Sequence, residues 1–296
     1  MYLLEETYDL SNSISLFGKF EITYYALCIL SGVLVAYFIG VNLARKMGIK
    51  KDDILDGVIY CLPLAIIGAR LYYVIFEWES YKDSFVDVFK IWEGGLAIHG
   101  GIITAIIFIC IYCKVKHLDI WKIFDVVFPV FLLSQALGRF GNYYNCEAHG
   151  DIMNQGVLNF LHFVFPDALI DRYYWNSGSY YHPTYLYEAC WNVLGFILIW
   201  NIRKLKFAKK GDSLGFYMIW YGIGRFFIEF MRTDSLYVNL FGNELKQNVI
   251  ISAVLVVAGI AYLLIKRFAL KINTPFRDTY VEDYEKTPAL KDMIEE

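Results

Sequence analysis

Charge is what this sequence has least of. Aspartate, glutamate, lysine and arginine make up 19% of its 296 residues, whereas hydrophobic residues make up 57%. That balance excludes an ordinary soluble domain and reads as an all-α polytopic membrane protein. A basic opening is also missing: Met1-Tyr-Leu-Leu-Glu-Glu6 is acidic and the first long apolar run starts near Phe20, so no cleavable signal peptide is expected. There is no internal repeat, which weighs against a transporter built from inverted halves. The six cysteines (Cys28, Cys61, Cys110, Cys113, Cys146, Cys190) lie mostly within apolar segments, as small buried hydrophobes do, and form no disulfide framework. Cys110-x-x-Cys113 has no second Cys/His pair near it, and no compact carboxylate/histidine set stands at ligand spacing, so neither a metal nor another cofactor is expected. The net charge of -3 says little about partners, and no nucleic-acid partner is expected.

What the chain does have is long apolar runs. About 20 such residues cross a bilayer, and seven segments qualify: 20–42, 54–76, 96–113, 120–138, 185–202, 213–231 and 248–265. The connections vote on orientation through their lysines and arginines. Arg45, Lys46, Lys50 and Lys51, then Lys114, Lys116 and Lys122, then Arg203, Lys204, Lys206, Lys209 and Lys210, and finally Lys266, Arg267 and Lys271 fall on one side. The other side holds only Lys19, Lys82, Lys90, Arg139, Arg172, Arg232 and Lys246 although its connections are longer. The N-terminus is therefore expected outside and the C-terminus in the cytoplasm. This divides the chain into an external arm (1–19), a seven-span body (20–269) with an external loop or cap (139–184), and a cytoplasmic tail (270–296).

Ionisable residues inside a membrane are expensive, on the order of 3 kcal/mol each, and usually face a partner, water or a functional site. On this topology Arg70, His99, Arg139, Glu188, Arg225 and Glu229 all fall in the external half of the bilayer, which points to a shared polar cavity. Asp125, nearer the cytoplasmic end of its span, reads as structural. Glu188 and Glu229 have two readings: pairing with Arg70 or Arg225 to hold helices together, or service in the site. His99 sits in Gly94-Gly-Leu-Ala-Ile-His-Gly-Gly101, where flanking glycines permit close approach. Tyr25 and Tyr221 stand at the depth of the cluster, although a tyrosine there is usually an interfacial belt residue. His182, before Pro183, fits a cap of the fifth span, and His117 and His162 fit surface or local roles.

The densest polar stretch, Gly138-Arg-Phe-Gly-Asn-Tyr-Tyr-Asn-Cys-Glu-Ala-His-Gly150, resembles the signature of the prolipoprotein diacylglyceryl transferases, G-R-x-G-N-x-x-N-x-E-x-x-G. Gly94–Gly101, His182-Pro-Thr-Tyr-Leu-Tyr-Glu188 and Tyr221-Gly-Ile-Gly-Arg-Phe-Phe-Ile-Glu-Phe-Met-Arg-Thr-Asp234 are similar to the family's other motifs and follow its order. The resemblance covers nearly the whole chain. It implies transfer of a diacylglyceryl group from phosphatidylglycerol to the lipobox cysteine in the signal peptide of a prolipoprotein, at a bacterial plasma (inner) membrane, with release of glycerol phosphate. It also implies that Arg139 and Arg225 are the essential arginines, His99 a base, and Asn142, Glu147, Gly150, Tyr25 and Tyr221 further site residues. Two departures stand out. Tyr143-Tyr144 replaces the usual aliphatic or phenylalanine residues, which bears on the pocket wall. Tyr24-Tyr25-Ala26 stands where Trp-Tyr-Gly is common, which bears on the packing around Tyr25.

The chemistry asks for what these residues offer. A thiol attacks the glycerol carbon bonded to phosphate, and the leaving phosphate monoester gains charge that a pair of guanidiniums can meet with charge-assisted hydrogen bonds. The thiol has a pKa near about 8.5, so a base such as His99, or the field of the arginines, must raise its thiolate fraction. Asn142 and Asn145 suit head-group hydroxyls or backbone anchoring. Glu147 and Glu229 suit orienting an arginine or binding the head group. The competing readings are a transporter for an anionic solute, which needs polar access from both faces, and an inactive lipid-binding homologue.

Overall fold

The computed structural model describes residues 13–16, 20–82, 84–175, 178–233, 235–240 and 243–281. Apolar runs become helices because a helix satisfies its own backbone hydrogen bonds where water cannot. In chain order come β1 (Ser13–Leu16) paired antiparallel with β2 (Phe20–Thr23), then α1 (Tyr24–Lys46), α2 (Lys51–Phe76) and the single turn α3 (Trp78–Tyr81). Two short 3-10 turns, Phe85–Phe89 and Ile91–Glu93, lead to α4 (Ile98–Val115) and α5 (Ile120–Asn145). The next connection carries α6 (Gln155–Val164), α7 (Asp167–Asp171) and the hairpin of β3 (Tyr174–Trp175) with β4 (Ser179–Tyr180). It is followed by α8 (Thr184–Ile202), α9 (Asp212–Met231), the hairpin of β5 (Tyr237–Leu240) with β6 (Asn243–Lys246), and α10 (Gln247–Leu264), which a π turn extends over Ile265–Ala269.

The fold is all-α and polytopic. Among the described residues, α1, α2, α4, α5 and the extended α10 are long and apolar enough to cross a membrane. Helices α8 and α9 have the length, at 19 and 20 residues, but Glu188 and Asn192 on one and Asp212, Arg225 and Glu229 on the other lower their hydropathy. Helix α5 runs seven residues beyond the apolar segment expected for the fourth span, so the signature from Gly138 to Asn145 is helical rather than loop.

The described residues form two compact units, one within 1–39 and 124–278, the other within 40–123 and 279–296. In the first unit α9 packs against both α8 and α10. Trp191 and Trp220 stack with centroids 4.1 Å apart, and each indole N–H donates to the other's carbonyl at 2.9 Å. A Cβ on Gly224 would collide with the Trp191 ring, so only glycine allows this closeness. The far end of α9 is held by Asp125, whose carboxylate accepts Gly211 N–H at 2.5 Å and Ser213 N–H at 3.1 Å. These are orphan donors of the helix start, satisfied here by a side chain from another helix. Beside it the buried Lys266 and the half-buried Arg267 both pair with Asp212 at 2.5 Å. The connection between α5 and α8 has its own small core, in which Leu158 and Leu161 of α6, Ile170 and Tyr173 pack with Ala148, Tyr185 and Leu186.

The second unit is built on α2 against α4. Gly68 and Gly100 face each other there, and a Cβ on Gly100 would overlap Tyr72 and the Gly68 carbonyl. Arg70 lies in this unit and spends its guanidinium on backbone carbonyls: Asp87 at 2.6 Å, Gly94 at 2.7 Å, Val88 at 2.9 Å and Gly95 at 3.0 Å. It organises the connection between α2 and α4, which is a structural task.

Candidate active site

Five charged side chains of the described residues meet at one end of the first unit. Arg139, on the last turns of α5, reaches Glu188 near the start of α8, with Nη2 to Oε2 at 2.5 Å. Arg225 on α9 binds the other oxygen of the same carboxylate through Nη1. Its Nη2 pairs with Oε2 of Glu229, one turn further along, at 2.8 Å. A third guanidinium, Arg232, stands 3.9 Å from Glu188 Oε1. Among the described residues the cluster holds three guanidiniums and two carboxylates. Side-chain exposure grades the site: 0% for Glu229, 4% for Glu188, 10% for Arg225 and 22% for Arg139. Arg139 is thus the more open arm. Glu229 also accepts from Asn248 Nδ2 on Oε1 at 3.1 Å, while its Oε2 has the ion pair with Arg225 and no hydrogen bond among the described residues.

The register of these groups follows from helix geometry. Arg225 and Glu229 stand at i and i+4 of α9, hence on one face, and Arg232 follows as the extended residue that ends the helix. Lys246 at the end of β6 donates to the carbonyls of Glu229 at 2.9 Å and Arg232 at 2.7 Å. A cation there satisfies orphan carbonyls at the C-terminus of α9.

The signature turn supports Arg139 from below. Asn142 Oδ1 lies 3.5 Å from Arg139 Nη1, and its amide donates to Glu147 Oε2 at 3.2 Å; Asn145 donates to Glu147 Oε1 at 3.3 Å. Glu147 therefore receives both asparagines. The chain turns sharply here, with Cys146 (φ 53) and Ala148 (φ 57) both left-handed, a conformation that costs of order 1–3 kcal/mol for residues other than glycine. Other contacts hold it: Tyr173 hydroxyl donates to Glu147 O at 2.8 Å, Thr184 hydroxyl to Ala148 O at 2.5 Å, and Arg172 Nη2 to Tyr144 O at 2.8 Å. Burial raises the Tyr173 pKa, keeping the phenol a neutral donor. Gly150 ends the turn, bridged to Arg232, where an added Cβ would sit 2.5 Å from Met231 O.

The remaining expected residues divide. Tyr25, second residue of α1, lays its ring on Gly141 of α5, leaving no room there for a Cβ. Tyr221 stacks parallel to Tyr217 at 5.7 Å, and Tyr217 accepts from Gln135 at 3.2 Å. His99 is the second residue of α4 in the other unit, with the Tyr72 ring 6.2 Å away. The glycine after it serves helix packing. The sequence leaves Glu188 open between an ion pair and the site, and counts Arg232 only as a connection charge.

A pair of guanidiniums from different helices sharing a buried carboxylate marks the class: a polytopic membrane protein with a buried cluster of charges at one end of its helices. The family model for prolipoprotein diacylglyceryl transferase matches residues 12–265. A phosphatidylglycerol–prolipoprotein diacylglyceryl transferase of Listeria monocytogenes serotype 4b (strain CLIP80459) is 41% identical over 266 residues, 90% of this chain and 91% of that protein. The enzymes of the same name from Ligilactobacillus salivarius (strain UCC118) and Staphylococcus aureus (strain Newman) are each 40% identical, over 90% and 87% of this chain and 95% and 89% of theirs. The chain belongs to the prolipoprotein diacylglyceryl transferase family.

Proposed function

We propose that the protein transfers the diacylglyceryl group of phosphatidylglycerol to the lipobox cysteine of prolipoproteins, the first step of lipoprotein maturation in a bacterial plasma membrane. The observation that carries this reading is Glu188 shared between Arg139 and Arg225. It brings two guanidiniums together where a phosphodiester can be gripped. The thiolate sulfur bonds to the glycerol carbon, the carbon–oxygen bond to phosphate breaks, and its electrons stay on that oxygen. Glycerol phosphate leaves with the charge met by Arg139 and Arg225. The thiol proton goes to a base, for which His99 is the candidate, and Tyr25 completes the catalytic group. Asn142, Asn145, Glu147, Gly150, Tyr221 and Glu229 shape the head-group site.

In this reading α8 and α9 are also spans, giving seven, with the N-terminus, the site and the 139–184 connection external and the tail cytoplasmic. Lipid enters laterally and the peptide from the outer leaflet, and the relatives' names supply the donor and acceptor. The test is to incubate purified protein with phosphatidylglycerol and a lipobox peptide, then assay for thioether peptide and released glycerol phosphate in equal amounts. Uptake of an anionic solute by proteoliposomes without either product would favour a transporter instead. A His99→Gln variant that keeps its activity across pH would remove the base from the scheme.

A further inference from the structure

Glu188 stands where an anionic ligand of the two arginines would stand. Among the described residues its carboxylate is held by guanidiniums alone: Arg139 on Oε2, Arg225 on Oε1, and Arg232 at 3.9 Å. Glu229 differs, because it has the neutral Asn248 amide as well as Arg225 and is the more buried of the two. A carboxylate and a phosphate present paired oxygens to a guanidinium in the same fork geometry. An anion that engages Arg139 and Arg225 through the nitrogens they turn toward each other meets N–H groups that Glu188 already occupies.

We propose that Glu188 is an internal competitor for the phosphate: it yields the arginine N–H groups to the substrate phosphodiester and reclaims them from the product monoester, which carries more charge and would otherwise be held too tightly. Glu229, held by Asn248 on one oxygen and ion-paired with Arg225 through the other, keeps Arg225 in place through the exchange. Glu188 is thus a positioning residue that resets the clamp. The role rests on the transferase reading above.

The test uses the purified full-length chain in detergent, with glycerol phosphate as the probe. Glu188→Gln keeps the shape and removes the charge. Calorimetric titration is expected to show glycerol phosphate binding about ten-fold tighter or more than to the wild type, with a larger ligand-induced rise in Tm. Turnover is expected to fall, with product inhibition setting in at lower concentration. A folded Glu188→Gln protein that binds glycerol phosphate equally or more weakly overturns the proposal, as a purely structural carboxylate would predict. If that variant does not purify folded, Glu188→Asp decides: one methylene shorter, it draws the carboxylate back from the two arginines, and tighter binding is again expected and weaker or equal binding contradicts. Wild-type turnover of phosphatidylglycerol and lipobox peptide is measured alongside. No product there sinks the transferase reading, whereas an active wild type with unchanged variant affinity sinks only the competitor role.

Discussion

Tyr24 and Tyr144 stack face to face, with ring centroids 4.7 Å apart and planes 18° from parallel. These are the two places where the sequence departs from the family pattern, and the structure puts them in contact. The neighbouring Tyr143 packs at 5.7 Å from Tyr185, and its hydroxyl donates to Ala168 O at 3.1 Å. The tyrosine pair therefore works as two separate devices, one joining α5 to the start of α1 and the other joining it to the cap over α8. A stacked aromatic pair is worth about 0.5–1.5 kcal/mol beyond its area. A double-mutant cycle of Tyr24→Ala and Tyr144→Ala in unfolding experiments is expected to give a coupling energy in that range, and an additive cycle would show the stack to be idle.

The tryptophan pair makes the site sensitive to a glycine that touches no charged group. Gly224→Ala forces its methyl into the Trp191 ring, which separates the indoles and shifts Glu188 against Arg225. Overpacking of this kind costs about 1–3 kcal/mol. The variant is expected to unfold earlier by that amount and to lose transferase activity per folded molecule. Gly138→Ala is the steric control, since a Cβ there meets nothing within 4 Å, and its stability is expected to be unchanged or slightly higher.

Burial lowers the pKa of His182, against a smaller opposing pull from Asp151. Its Nδ1 sits 2.9 Å from the Tyr187 hydroxyl. The folded protein thus binds this proton less readily than the unfolded chain, whose value is about 6.5. Stability from this group is complete above that pH and is lost as pH falls through it toward the lower folded value. Unfolding midpoints measured from pH 8 down to pH 5 are expected to fall more in the wild type than in His182→Gln; parallel curves would refute the assignment.

Asp125 offers a stability test that leaves the chemistry alone, because it binds Gly211 and Ser213 at the opposite end of α9 from Arg225. Asp125→Ala removes a buried acceptor of two backbone N–H groups. The expected loss is about 2 kcal/mol of stability with turnover per folded molecule retained. A large fall in turnover at unchanged stability would mean that this end of the helix matters to the reaction.

Most of the fold was legible because apolar runs of spanning length admit few conformations. The expected segments 54–76, 185–202 and 213–231 correspond to Lys51–Phe76, Thr184–Ile202 and Asp212–Met231. Helix α5 overran its expected end at 138 because Arg172, distant in sequence, supplies donors to its last carbonyls. Amphipathic α6 went unseen inside a polar-looking connection, although Asn154 caps it by accepting from Val157 N at 2.9 Å. In the site, residue types announced themselves but partners did not. Arg70 looked like a member of the cluster until its guanidinium was found on four carbonyls, and Glu188 became central only once two helices delivered an arginine to each of its oxygens.

The most direct measurement of the central claim is product formation by Arg139→Ala and Arg225→Ala, each purified and shown to be folded, with phosphatidylglycerol and a lipobox peptide. The account predicts that both lose thioether product and glycerol phosphate together, by about a hundred-fold or more. Near-normal rates in either folded variant would contradict it.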